Sequence, residues 1–486
     1  MASEDIRLTI SQQNILNRLL DFVETGTDRV FVLKGYAGTG KTTLVRFLIQ
    51  ELSQKGKEYR LLASTGRAAK VLQNKSLSEA FVSTIHSMIY SYGGFNKDLS
   101  SVEVIDMEAT GQLSLVFEPK KVSETEGGTI YIVDEASMIS DIESHEVSQA
   151  TFGSGRLLKE LLEYDTRPGS RFVFVGDPCQ LPPITAYFSP ALSPEYITRT
   201  FGLGVQQGEL TEIMRQDGTS TIITASKMIR TAYNMAPESK NVYGNRNVWA
   251  KLNFKSYRDI LIHDEMDEML DDYVSKIKSD GYNSAICLCR SNKACSELSH
   301  QVRVKLGMNT GNLVKGDLLM VTQNNLPSGL MNGDMVTVEE VTNVVEQVAG
   351  LTFRKIRVKE NMNDRLIETY IIEDILWQDR PNLSPGQQNA LFYEFIRKMR
   401  NLGIRQKDGL IFTMNMQADP MLNALRCTYG YAVTCHKAQG GEWDDVYVHV
   451  PKNIMLNPVK ETYQWIYTAM TRARKRLHML DGFYIA

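Results

Sequence analysis

One stretch, Val30-Phe-Val-Leu-Lys-Gly-Tyr-Ala-Gly-Thr-Gly-Lys-Thr-Thr43, restricts the fold more than any other part of this chain. Residues 30 to 33 are an unbroken apolar run, short enough for a parallel strand buried on both faces. Gly35-x-x-x-x-Gly40-Lys41-Thr42 then matches the phosphate-binding P-loop pattern. Leu44 to Leu52 follow with apolar residues at helical spacing. The glycines let backbone N–H groups curl around a phosphate with no Cβ in the way, and the helix N-terminus adds a positive partial charge. Gly35, Gly38, Thr39, Gly40, Lys41, Thr42 and Thr43 are therefore the candidate nucleotide cradle. Lys41 is suited to the β- and γ-phosphates and Thr42 to Mg²⁺. A plain glycine turn would leave the adjacent Lys-Thr unexplained.

At 486 residues the chain exceeds the roughly 250–300 residues that one core usually serves, so two or more domains are expected. The net charge of −3 excludes a global basic signature, and a nucleic-acid partner would be held by local patches. The six cysteines contain no C-x-x-C pair and suit a reducing compartment, with buried thiols as the expected state. No basic-apolar leader opens the chain, and no apolar run approaches the ~18–20 residues of a membrane span. A soluble, intracellular, cytoplasmic protein without a membrane partner is expected.

Further along, Thr9 or Ser11 is placed to cap an amphipathic helix, and Gln12 or Gln13 is placed to read an adenine edge or simply to be solvated. Tyr59–Ala63 reads as a strand followed by Ser64-Thr-Gly-Arg-Ala-Ala-Lys70, which suits either a phosphate backbone or a capped helix with exposed cations. Val102–Met107 and Gln112–Phe117 flank a Glu-Ala-Thr-Gly turn and predict a projecting β-hairpin. Thr129–Val133 is a buried strand ending in Asp134-Glu135, the second half of a nucleotide site: Asp134 for Mg²⁺ through water, Glu135 for the attacking water. Arg171–Val175 leads into Gly176-Asp-Pro-Cys-Gln180, where Gln180 is a candidate sensor of the γ-phosphate. Ser284–Cys289 and the Ser291–Leu306 helix begin a second α/β unit, with Cys287 and Cys289 on one strand face as core packing. Residues 313–378 read as short strands of a small β-barrel, in which Lys355, Arg357 and Lys359 share a face that is either solvated or turned to nucleic acid. Residues 385–407 read as helical. Trp465 to Leu477 read as one helix with four cations in its last turns.

Eight motifs stand in order: Gly35–Thr42, Ser64–Lys70, Ser83–His86, Asp134-Glu135, Gly176-Asp…Gln180, Arg215, Thr434-x-His-Lys-x-Gln-Gly440 and Thr471-Arg472. This set resembles the superfamily 1 helicases, most nearly the branch that contains the Dda and RecD helicases. The resemblance implies an α/β fold with two RecA-like P-loop NTPase domains. The first is 1–86 with 129–204 and carries the ATP site. The second is 205–310 with 421–486. The insertions are a β-hairpin pin at 87–128 and a small β-barrel plus helical segment at 311–420. It implies Mg-ATP hydrolysis by Lys41, Thr42, Asp134 and Glu135. Gln12 falls to the adenine, Glu442 to the ribose, Gln180 to γ-phosphate coupling, and Arg215 and Arg472 to cations brought to the transition state. Thr65, Arg67, Thr84, His86, Phe117, Thr434, His436 and Lys437 are implied along DNA. Arg67 departs from the histidine often found there. The implied activity is ATP-dependent translocation on single-stranded DNA, 5′→3′, with separation of duplex or forked DNA, in the company of single-strand-binding or repair proteins. No carboxylate–lysine nuclease constellation appears, so nuclease activity is not expected. An RNA or ribonucleoprotein remodeller, and a DNA-binding ATPase switch that needs a partner, remain as alternatives.

Overall fold

The computed structural model describes residues 7–75, 82–95, 115–120, 122, 127–143, 150–184, 186–213, 220–236, 252–308, 311–451 and 459–482. The P-loop strand, Val30–Gly35, lies inside a six-stranded sheet in the spatial order Val82–Thr84, Tyr59–Ala63, Ile130–Asp134, Arg171–Gly176, Val30–Gly35, Val205–Leu210, with every pairing parallel. Its continuous apolar run serves both faces. Phe31 and Leu33 enter one cluster with Leu19, Phe22, Leu44 and Leu48, while Val30 and Val32 enter another with Leu158, Leu161 and Phe174. A strand buried on both sides cannot alternate polar with apolar residues, which is why it reads as an uninterrupted run. The neighbours of the P-loop strand come from much later in the chain on both sides, so the crevice at its carboxyl end is a topological switch point.

The second sheet is also parallel, in the order Ile260–His263, Ala473–Leu480, Trp443–Val448, Ala285–Cys289, Ala432–Thr434. Two expectations are corrected here. Val205–Leu210 pairs with Val30–Gly35, so the crossing to the second unit lies beyond Leu210 and not at residue 205. The helix that begins at Lys460 ends at Met470, and Ala473–Leu480 is a strand. Its cations do not serve a helix C-terminus: Arg474 and Lys475 pair with Asp444, and Arg476 pairs with Asp445. The apolar Leu477 and Met479 are buried in the sheet, and this tertiary pairing overrides a sequence that is locally compatible with helix.

A third, antiparallel sheet has the order Leu366–Ile372, Leu351–Glu360, Met335–Val348, Leu318–Val321, Cys427–Tyr429. An isolated bridge between Ile371 and Leu425 brings its two edges together. One apolar cluster runs from this sheet into the second parallel sheet, through Leu319, Val336 and Ile356 to Cys287, Tyr431 and Tyr447. Lys355, Arg357 and Lys359 are each paired with a carboxylate, Glu368, Glu340 and Asp364, as on a solvated sheet face.

Of the predicted hairpin, residues 102–114 lie outside the described residues. Leu115–Pro119 pairs antiparallel with Tyr90–Phe95, a strand not expected from sequence, and parallel with Ala150–Phe152. Pro385–Asn401 is a helix opened by a Ser384–Gln387 capping box, followed by a helix at Leu410–Ala418. Both pack against Tyr92 and Leu115 of this small sheet, so the 381–420 segment reaches the first α/β unit.

Candidate nucleotide site and nucleic-acid interface

The P-loop is shaped to receive phosphate. Gly38 and Gly40 have φ of 77° and 82°, a left-handed conformation that favours glycine. A Cβ on Gly35 would meet Lys41 Cγ and Thr39 Oγ1, both at 2.8 Å. Gly40 caps the helix Lys41–Gln54 without any side-chain bond, so its first-turn N–H groups are not closed off by a capping side chain. Lys41 Nζ donates to the Gly35 and Tyr36 carbonyls at 2.7 and 3.0 Å, which holds the ammonium over the loop. This arrangement fits ATP. Gln12, buried in the Thr9-capped helix Ile10–Glu24, accepts from Thr9 N at 3.1 Å and donates to the Thr39 carbonyl at 3.2 Å. Its amide therefore ties the first helix to the loop.

Asp134 ends its strand, accepts from Glu135 N at 2.9 Å, and is followed by Glu135 at φ 51°, the left-handed region. That turn points Glu135 at the next strand end. The Gln180 amide lies between Glu135 Oε2 and Arg472 Nη2; assigned with its nitrogen towards the carboxylate, it donates to Glu135 Oε2 at 3.2 Å and accepts from Arg472 Nη2 at 3.1 Å. Arg472 is buried and also donates to the Thr468 and Gly441 carbonyls at 3.1 and 3.3 Å. Glu135 and Gln180 come from the first sheet and Arg472 from the second, so one amide joins a carboxylate and a guanidinium across the two units. Thr42 and Thr43 lie in the first turn of the P-loop helix, and Glu442 is exposed beside Trp443. Arg215 lies outside the described residues.

Residues that sequence reasoning passed over complete this seam. Tyr467 accepts from the P-loop Ala37 N–H at 3.0 Å and donates to Asp177 Oδ2 at 2.8 Å. Burial pushes the Asp177 carboxyl above its ordinary range, against the pull of the Lys41 charge. Gln464 donates to the Gln180 carbonyl at 3.0 Å, Leu181 N donates to Thr468 Oγ1 at 2.9 Å, and Gln439 donates to the Leu181 carbonyl at 3.2 Å. The available signal was spacing: Gln464, Tyr467, Thr468 and Thr471 recur at i, i+3, i+4 and i+7, one face of the helix Lys460–Met470 and its C-cap.

The residues expected along DNA fall into three groups. Thr84, His86 and Phe117 gather at the small sheet: Thr84 caps the helix Ile85–Ile89, His86 lies edge-on to Phe152 at 5.0 Å, and Phe117 stacks on Phe152 at 4.7 Å. Burial holds the His86 imidazole below its usual value. Thr434 and Lys437 line a cleft with Asn292, Gln378, Arg380 and Tyr429, and His436 is next to them in sequence. Burial lowers the pKa of both His436 and Lys437. Thr65 caps the helix Gly66–Lys75 by accepting from Ala68 N at 3.1 Å. Arg67 is turned inward: it lies 4.5 Å over the Trp443 ring, donates to the Gly333 carbonyl at 3.2 Å, and is pushed down to about 10 by burial. Lys70 pairs with Asp334 and Glu360. The cations of 64–70 thus join the two units, a third outcome beside the exposed helix and the DNA contact expected from sequence.

Two family models match the chain, an AAA domain over residues 7–242 and a UvrD-like helicase C-terminal domain over 429–480. The ATP-dependent DNA helicase dda of Enterobacteria phage T4 is 24% identical, covering 98% of this chain and 99% of that protein. From end to end the chain is similar to a superfamily 1 helicase of the Dda kind. An uncharacterized protein of Acanthamoeba polyphaga mimivirus is also 24% identical, over 98% of this chain and 99% of its own length. A crystal structure of Pif1 helicase from Bacteroides in complex with ADP-AlF3 and ssDNA superposes with a TM-score of 0.48 at 19% identity, covering 99% of this chain and 95% of that one. The seam between the two units is built by residues flanking the expected motifs as well as by the motifs themselves. Among the described residues no helix is long and apolar enough to cross a membrane.

Proposed function

We propose that this chain hydrolyses ATP to move 5′→3′ along single-stranded DNA and to separate duplex DNA. The observation that carries the reading is the Gln180 amide held between Glu135 of one α/β unit and Arg472 of the other. A residue so placed makes the state of the reaction at Glu135 felt by the second unit. The end-to-end similarity to a protein named as an ATP-dependent DNA helicase supports the substrate class.

Lys41 and the first-turn N–H groups hold the phosphates, and Thr42 and Asp134 hold Mg²⁺. The ion supplies charge neutralisation at the phosphoryl oxygens. Glu135 takes the proton of the attacking water, and Arg472 with Arg215 offsets charge that develops at the phosphate, a contribution of about 10³–10⁵ in rate for such arginines. Gln12 is assigned to the adenine edge and Glu442 to the ribose. Gln180 and Tyr467 hold the two units closed around the loop, and opening of this seam alternates the grip on DNA. Thr65, Thr84, His86 and Phe117 serve the first unit's share of the strand, and Thr434, His436 and Lys437 the second's. The units are 1–86 with 129–210 and 211–310 with 421–486. The 87–128 insertion, braced by the 381–420 helices, acts where the duplex divides.

Backbone-directed binding entails weak sequence preference and steep loss of affinity with salt. The direct test of the site is ATP turnover in Lys41→Ala, expected to fall by about 10²-fold or more. Turnover at the unmodified rate would overturn the assignment. Stimulation by RNA over DNA would favour a remodeller, and ATP binding without strand displacement a switch.

A further inference from the structure

At the outer edge of the second sheet, far in sequence from every helicase motif except Thr471-Arg472, three metal-ligating side chains converge. His263 ends the edge strand, Asp272 lies on the helix Met266–Asp280, and His478 lies on the strand Ala473–Leu480. His263 Nε2 is 3.0 Å from His478 Nδ1, and Asp272 Oδ2 is 3.2 Å from the same Nδ1. All three atoms lie within 4.8 Å of one another.

Each of these groups also has a further neighbour. His478 Nε2 is 3.2 Å from Asp445 Oδ1, a buried carboxylate that fixes the proton on Nε2 and leaves Nδ1 as a lone pair. His263 turns Nδ1 towards Glu268 Oε1 at 3.6 Å, too long for a hydrogen bond. Asp272 Oδ2 already accepts from Tyr447 Oη at 2.6 Å. His263 Nε2, His478 Nδ1 and Asp272 Oδ2 thus face one another, an arrangement that one N–H···N hydrogen bond or a cation held by all three would satisfy. Arg476 and Lys276 are directed at Asp445.

We propose that His263, Asp272 and His478 form a divalent transition-metal site of the zinc class. Two imidazoles and one carboxylate are donors of intermediate softness, suited to Zn²⁺ and not to the oxygen-only shells of Mg²⁺ or Ca²⁺. Donors about 2.0–2.1 Å from a tetrahedral centre stand about 3.3 Å apart, close to both distances made by His478 Nδ1. The Asp272 side chain is 46% exposed and is held by Tyr447 Oη at 2.6 Å. Asp445 behind His478, and Tyr447 behind Asp272, are the outer partners that orient metal ligands elsewhere. Three protein ligands leave a fourth position for water or an added group. The ion would clip the edge strand and the 266–280 helix to the strand that begins directly after Arg472.

The test is zinc binding by the full chain, stripped with chelator and titrated with Zn²⁺ against a chromophoric competitor, alongside Co²⁺ absorption. One tightly held zinc per chain is expected, with the intense visible bands of tetrahedral Co²⁺. His263→Ala and Asp272→Asn, each checked for retained DNA-stimulated ATPase, should weaken binding by about tenfold or more. Substoichiometric zinc, or binding unchanged in both variants, would overturn the site. Absence of zinc together with a pH-dependent melting temperature that His263→Ala abolishes would assign the space to a shared proton instead.

Discussion

At the residue scale, the two units are joined by polar side chains buried together, and each is costly to strand. Tyr467 satisfies the Ala37 N–H and the Asp177 carboxyl with one hydroxyl. Tyr467→Phe keeps the ring and removes both bonds. It should destabilise the chain by roughly 1–3 kcal/mol, the cost of leaving a buried polar group unpaired, as read by urea unfolding. A midpoint equal to that of the unmodified protein would show the seam to be dispensable. Buried histidines make a second residue-level statement. His86, held below its ordinary value near 6.5 by burial, takes up a proton less readily in the fold than in the unfolded chain. Its contribution is therefore complete above about pH 6.5 and is lost as the pH falls through that value towards the folded pKa. Between pH 7 and about pH 5, His86→Phe should lose less melting temperature than the unmodified chain. An equal or larger loss would contradict the burial of this ring.

At the scale of elements, the helices Pro385–Asn401 and Leu410–Ala418 pack on the small sheet that leads into the 96–114 segment. Phe412 is buried there, edge-on to Phe395 at 5.5 Å. Phe412→Ala should cost about 3–5 kcal/mol locally. Faster amide exchange in Tyr90–Phe95 is expected with it, and unchanged exchange there would mean that the packing does not brace the strand. Elements with a strong local signal were legible beforehand. The Val30–Gly35 strand, the Thr9 and Ser291 helix starts and the strand end at Asp134 follow from an apolar run or a cap. The Ala473–Leu480 strand was hidden because its three consecutive cations take their partners from Asp444 and Asp445 of another strand. Tyr90–Phe95 was hidden because Tyr-Ser-Tyr-Gly-Gly-Phe has no clear alternation and pairs across an insertion. Lys41, Asp134, Glu135, Gln180 and Arg472 were named from their motifs and the resemblance, and the fold sets Gln180 between Glu135 and Arg472. Tyr467 and Gln464 needed the knowledge that their helix faces the P-loop. His263 and His478, 215 residues apart, carry no spacing signal at all.

At the scale of the whole molecule, two α/β units, each built on a parallel sheet, meet at the P-loop through the Lys460–Met470 helix, with the Gln180 amide between Glu135 and Arg472. Arg67 over Trp443 and Lys70 between Asp334 and Glu360 add a second line of contact away from the phosphates. Closure converted to directed movement is the central claim. It is tested most directly by displacement of a labelled strand from duplexes bearing either a 5′ or a 3′ single-stranded tail, with Mg-ATP and Lys41→Ala as control. Release from the 5′-tailed duplex alone, abolished in Lys41→Ala, is the expected result. Release from the 3′ tail alone would contradict the direction, and release from neither, with ATP turnover intact, would contradict the motor.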